Sequence, residues 1–98
     1  MIVINFKNKR YVTKGINEKV SLCLQIFLWD FIDNMEIEKD YLQVFKCSNE
    51  DGKQKIEHVQ EVPEYKKRHL LIADAIFIGK IFVIDDGEQS VMLLAEEY

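Results

Sequence analysis

Between Ser21 and Met35 the chain carries more apolar side chains than one core-facing helix stripe needs, and that surplus constrains the folds open to it. At about 100° per residue, Leu24, Phe27, Leu28, Phe31, Ile32 and Met35 fall on one broad face, the spacing of a helix laid on a core. Leu22, Ile26 and Trp29 form a second stripe, set off by Gln25 on one side and by Asp30, Asp33 and Asn34 on the other. A sheet packed against one side of this helix leaves the second stripe wet. It is therefore covered by the chain's own loops or N-terminal segment, or it is a dimer or partner surface with Trp29 as the anchor.

The rest of the chain reads mostly as strands. Arg10 to Lys14 is β-branched and aromatic, Gly15 offers a turn, and Asn17 or Ser21 is placed to cap the helix. Tyr41 to Cys47 alternates with a period near two, and the turn-forming Ser48-Asn49-Glu50-Asp51-Gly52 leads into a partner strand over Lys53 to Val62. The polarity of that partner strand predicts an exposed or edge position, ended by Pro63. Glu64 to Leu71 reads as strand or loop rather than helix. Ala75 to Ile84 is β-rich with a break at Gly79, Asp85 to Gln89 supplies a hairpin turn, and Ser90 to Glu96 returns as the last strand. The predicted fold class is α+β, with one main N-terminal helix packed on an antiparallel sheet of about five strands. Residues 1–8, with Ile2, Ile4 and Phe6 alternating, form an edge strand or an N-terminal extension; residues 9–98 form a single domain.

Composition bears chiefly on partners. Ninety-eight residues allow one core. With 48% hydrophobic and 31% charged residues, the chain has the balance of one that folds unaided. A net charge of −4 opposes non-specific binding to phosphate backbones. Two cysteines, Cys23 and Cys47, are too few to staple a secreted scaffold. No apolar run approaches the length of a membrane span, roughly 20 residues, and the first residues lack the layout of a secretory signal. These features predict a cytoplasmic protein that does not engage a membrane.

No residue set announces catalysis, a cofactor or a metal. Asp85-Asp86-Gly87-Glu88 lacks the order of a calcium loop and reads as a hairpin turn. His58 and His69 have no ligand at metal spacing, Cys23 reads as a small packed residue, and no serine lies in a nucleophile elbow. The balance is against an enzyme. Tyr65, Lys66, Lys67 and Arg68 form the one basic cluster with an aromatic neighbour, a candidate nucleic-acid contact together with Lys7, Lys9, Arg10 and Lys14. Glu36, Glu38, Asp40, Glu50 and Asp51 are candidates for an acidic array, or simply a solubilising surface.

Lys9 to Asn17, Glu38 to Phe45, Gln60 to Tyr65, Lys80 to Asp86 and the ending Met92-Leu93-Leu94-Ala95-Glu96-Glu97-Tyr98 together resemble a small Firmicute family, the staphylococcal domain of unknown function 960. The resemblance covers residue 9 to the C-terminus. It implies carriage by some members on mobile chromosomal cassettes, beside a family that includes a DNA-mimicking enzyme inhibitor. It transfers no catalytic or binding residue. The functional expectation is a non-enzymatic protein-interaction module, an accessory factor of a mobile genetic element, acting through an unknown protein partner or by self-association as a homodimer. A nucleic-acid-binding accessory protein is the second expectation and an enzyme of unknown type the third.

Overall fold

Two side-chain hydroxyls start the two helices. The Thr13 hydroxyl accepts from the Ile16 amide and opens α1 (Lys14–Lys19), and the Ser21 hydroxyl accepts from the Leu24 amide and opens α2 (Leu22–Asp33). Ser21 is thus the cap of the predicted helix, whereas Asn17 lies inside a short helix where the sequence predicts a turn. The computed structural model describes residues 3–98; Met1 and Ile2 of the predicted N-terminal segment lie outside the described residues.

Six strands follow the order β1-β6-β5-β2-β3-β4 across one sheet. They are β1 (Lys9–Val12), β2 (Leu42–Glu50), β3 (Lys53–Gln60), β4 (Tyr65–Leu71), β5 (Gly79–Asp85) and β6 (Gln89–Leu94), with a 3-10 turn at Ala95–Glu97. The expected antiparallel sheet of about five strands is corrected to a mixed sheet of six. The parallel pair is β1 with β6, which joins segments from the two ends of the chain and has no local turn signal to betray it.

Strand alternation sends one face of the sheet to the helices. Phe45, Cys47, Ile56, Ile81, Val83 and Met92 pack there against Leu24, Leu28 and Ile32 of α2 and Ile16 of α1. Phe6 belongs to the same core: it is fully buried, with φ 59°, although residues 3–8 form no strand. Asp85 holds this segment in place. One carboxylate oxygen accepts from the Phe6 amide at 3.0 Å and the other from Asn8 Nδ2 at 3.0 Å and the Gly87 amide at 2.8 Å.

β3 corrects a second expectation. It is an interior strand, hydrogen-bonded to β2 and β4, and Gln54, Ile56, His58 and Gln60 on its inner face are buried. Its polarity reflects internal pairing rather than exposure. Gln60 Oε1 accepts from Gln43 Nε2 at 2.7 Å, and Gln43 Oε1 meets His58 Nε2 at 2.7 Å. Gln54 is satisfied by the backbone of Ser48, Lys55 and Phe77, as buried polar groups generally must be.

Candidate interaction surface

The surplus stripe of α2 is divided. Trp29 is half-buried, with the Arg10 guanidinium 4.6 Å above its ring, and Arg10 is itself held by the Asp33 carboxylate and the Phe6 carbonyl. Leu22 and Ile26 stay exposed, at 70% and 53%. Gln25, expected to mark a polar boundary, is buried and donates to the Val20 carbonyl at 3.0 Å. The inward face is therefore rotated toward Gln25. That rotation leaves Phe27, placed among the core residues by periodicity, 38% exposed. Cys23 is exposed too, correcting the expectation of a packed residue.

A second apolar surface lies on the opposite side of the molecule, on the sheet face that carries no helix. Register aligns its outward side chains in rows. Tyr11, Val91, Ile84 and Leu42 form one row across β1, β6, β5 and β2. Leu93, Phe82, Val44 and Val59 form the next, across β6, β5, β2 and β3. Leu93 is buried, Tyr11 is 47% exposed, and the other six are half-buried. Tyr98 meets Phe82 edge-on with centroids 5.5 Å apart and is otherwise open to solvent. Contiguous patches of this kind mark interaction sites. Strand periodicity in β2 and β5 carries the signal, but it does not say which half of each strand faces away from the helices.

The basic candidates are dispersed by the same alternation. Lys66 and Arg68 stand on the helix-free face, where Lys66 pairs with Glu57 at 3.8 Å, while Tyr65 and Lys67 project to the helix side. Tyr65 meets the His58 ring edge-on, with centroids 5.1 Å apart. Lys9 and Arg10 belong to β1 at the opposite sheet edge from β4. Five strand spacings, roughly 24 Å, separate the two edges. Lys66 and Arg68 do gain neighbours that the sequence does not group with them: Lys46, Lys80 and Lys55 stand on the same face.

The two histidines occupy the helix side. His58 stacks on Phe45 at 4.4 Å and His69 on Phe31 at 3.6 Å. Gln43 Nε2 is already spent on the Asp40 carbonyl and Gln60, so Gln43 Oε1 accepts and His58 Nε2 donates. His58 Nδ1 is left unprotonated. Burial, then the nearby His69 and Lys67, pull the His58 pKa down to about 3. Neither His58 Nδ1 nor His69 Nε2 has a partner among the described residues; stacking on Phe45 and the bond to Gln43 hold the His58 ring, and stacking on Phe31 holds His69.

Among the described residues no group of three or more His, Cys, Asp or Glu is placed to hold a metal, and no helix is long and apolar enough to cross a membrane. A cleft of 210 Å³ beside the start of α2 is lined by Ser21, Cys23, Phe27 and Leu71. Gln54 also reaches it, but its amide is satisfied by backbone groups.

Comparison with known proteins agrees with this architecture and supplies no activity. The family model described as a staphylococcal protein of unknown function (DUF960) matches residues 9–97. The crystal structure of a protein of unknown function from Enterococcus faecalis is similar over 96% of this chain and 95% of that one, with 26% identity and a TM-score of 0.88. No match is found among curated proteins.

Proposed function

We infer that this chain, which belongs to the staphylococcal family of unknown function DUF960, is a non-enzymatic protein-interaction module that binds protein through the helix-free face of its sheet. The observation carrying this reading is the pair of apolar rows, Tyr11-Val91-Ile84-Leu42 and Leu93-Phe82-Val44-Val59, over which no helix lies among the described residues and on which only the Tyr98 ring rests, against Phe82. The Leu22 and Ile26 pair on α2 is a smaller, secondary surface. An accessory role in a mobile element rests on the family resemblance alone.

Affinity capture from the cells that produce the protein tests the assignment of the surface. Val44→Glu with Phe82→Glu is expected to lose the captured protein, while Leu22→Glu with Ile26→Glu retains it. The reverse pattern would move the site to α2.

Nucleic-acid binding is the second reading, favoured by Lys46, Lys80, Lys66 and Arg68 sharing one face with the rings of Phe82 and Tyr98. A mobility-shift assay at low salt with Lys66, Arg68 and Lys80 reversed in charge decides it. No shift, or a shift indifferent to the reversals, removes this reading.

A further inference from the structure

The two central strands of the helix-free face carry the same ordered series of side chains. On β2 and its lead-in, alternate residues are Asp40, Leu42, Val44 and Lys46; on β5 and its exit they are Asp86, Ile84, Phe82 and Lys80. β2 and β5 are antiparallel, and their register places Leu42 beside Ile84, Val44 beside Phe82 and Lys46 beside Lys80. Along these two strands the face is banded in the order acidic, apolar, apolar, basic; beside them Glu57 shares the basic band, 3.9 Å from Lys46, and Lys9 stands at the acidic end across Gln89. Asp40 lines one groove with Val44, Lys46, Lys80 and Phe82, and its carboxylate accepts from the Tyr41 amide at 2.8 Å and the Val62 amide at 3.2 Å.

Such a banded surface is complementary to itself. A two-fold axis lying between two facing sheets, perpendicular to the strands, keeps each strand over its own copy and reverses its direction. Ile84 and Leu42 then lie over the partner copy's Phe82 and Val44 bands, while Asp86 meets the copy of Lys80 and Asp40 the copy of Lys46. Facing sheets pack about 10 Å apart, a gap that interleaved apolar side chains fill and that Lys and Asp side chains bridge from opposite sides.

We propose that the occupant of this face is a second copy of the same chain, docked sheet to sheet about a two-fold axis that sets Lys80 against the partner's Asp86 and Lys46 against the partner's Asp40. Five strand spacings by six residues give a footprint of roughly 24 by 20 Å, so two faces bury on the order of 1,000 Å². That is the lower end of a specific interface, and the dimer accordingly forms with concentration dependence. The proposal rests on the sheet face being the protein-binding surface and goes further by naming what binds there.

Sedimentation velocity of the full chain over a concentration series tests it with three variants. Lys80→Asp and Asp86→Lys each put two like-charge contacts into their own homodimer, and each is expected to raise the dimer dissociation constant by about tenfold or more. Mixed together, the two restore opposite charges at both positions, so the mixture forms a heterodimer at concentrations where each alone is monomeric. Asp86 also accepts from the Glu88 and Gln89 amides, so Asp86→Ala, which loses those bonds without reversing charge, separates turn damage from repulsion. Wild type that is monomeric at every concentration, reversal variants that dimerise like wild type, or a mixture that stays monomeric each overturns the second-copy assignment. If that happens while Val44→Glu with Phe82→Glu still abolishes capture of another protein, the interaction reading stands and only its occupant changes.

Discussion

Phe6 is a residue whose role depends on a contact 79 positions away. Its burial relies on Asp85 accepting the Phe6 amide, a bond that no local pattern announces. Phe6→Ala is expected to cost about 3–5 kcal/mol in chemical denaturation, the range for deleting a fully buried phenylalanine. His58 gives a pH dependence of defined sign. Its pKa falls from the ordinary 6.5 to about 3 on folding, so its contribution is complete above pH 6.5 and is lost as pH drops toward 3. The slope from this group approaches about 1.4 kcal/mol per pH unit, and His58→Leu should flatten it in urea melts taken across that window. The cysteines differ in reactivity. Burial pushes the Cys47 thiol up to about 12 while Cys23 is exposed, so alkylation of the native protein should label Cys23 alone, read by mass spectrometry. Cys23, flanked by Leu22 and Leu24, looks packed and is exposed, whereas Cys47, flanked by Lys46 and Ser48, is buried by the alternation of β2.

At the scale of elements, the parts legible in the sequence are those built from local chemistry. Ser21 caps α2, the Asp51-Gly52 turn joins β2 to β3, and period-two alternation locates β2. Elements that the sequence hides depend on distant partners. α1 is six residues long and contains Gly15, poor material for a helix by propensity, and it is anchored instead by Glu97. That carboxylate accepts from the Thr13 hydroxyl at 2.6 Å, the Gly15 amide at 3.1 Å and the Leu94 amide at 2.8 Å. These bonds tie α1 to the end of β6 and hold the Glu97 pKa below the usual carboxylate range, the Thr13 hydroxyl contributing most. A Cβ on Gly15 would sit 2.6 Å from this carboxylate. Gly15→Ala should therefore lower the melting temperature by expelling Glu97, and combining it with Glu97→Ala should cost less than the two separately, because both break the same contacts. β3 is misread from sequence for a related reason. Glutamine and histidine look solvent-facing until the partners that satisfy them, Gln43 and Gln60 above all, are brought alongside by pairing.

For the whole molecule, the α+β class and the family are legible in local strings, whereas the mixed sheet and the location of its open face are not. The helix stripe stands out in a linear sequence because helical periodicity is local, yet Arg10, held by Asp33, lies over its tryptophan. The rows on the far side of the sheet are assembled from five strands and exist only after pairing. Their acidic-to-basic banding gives the surface a direction that a merely greasy patch lacks. Residue-resolved NMR through a dilution series of the wild-type chain distinguishes this face from α2 as the surface that engages protein. Concentration-dependent shifts are expected at Leu42, Val44, Val59, Phe82, Ile84 and Val91, with Leu22 and Ile26 unmoved; shifts centred on Leu22 and Ile26, or a spectrum that does not change with concentration, would refute self-docking through the sheet.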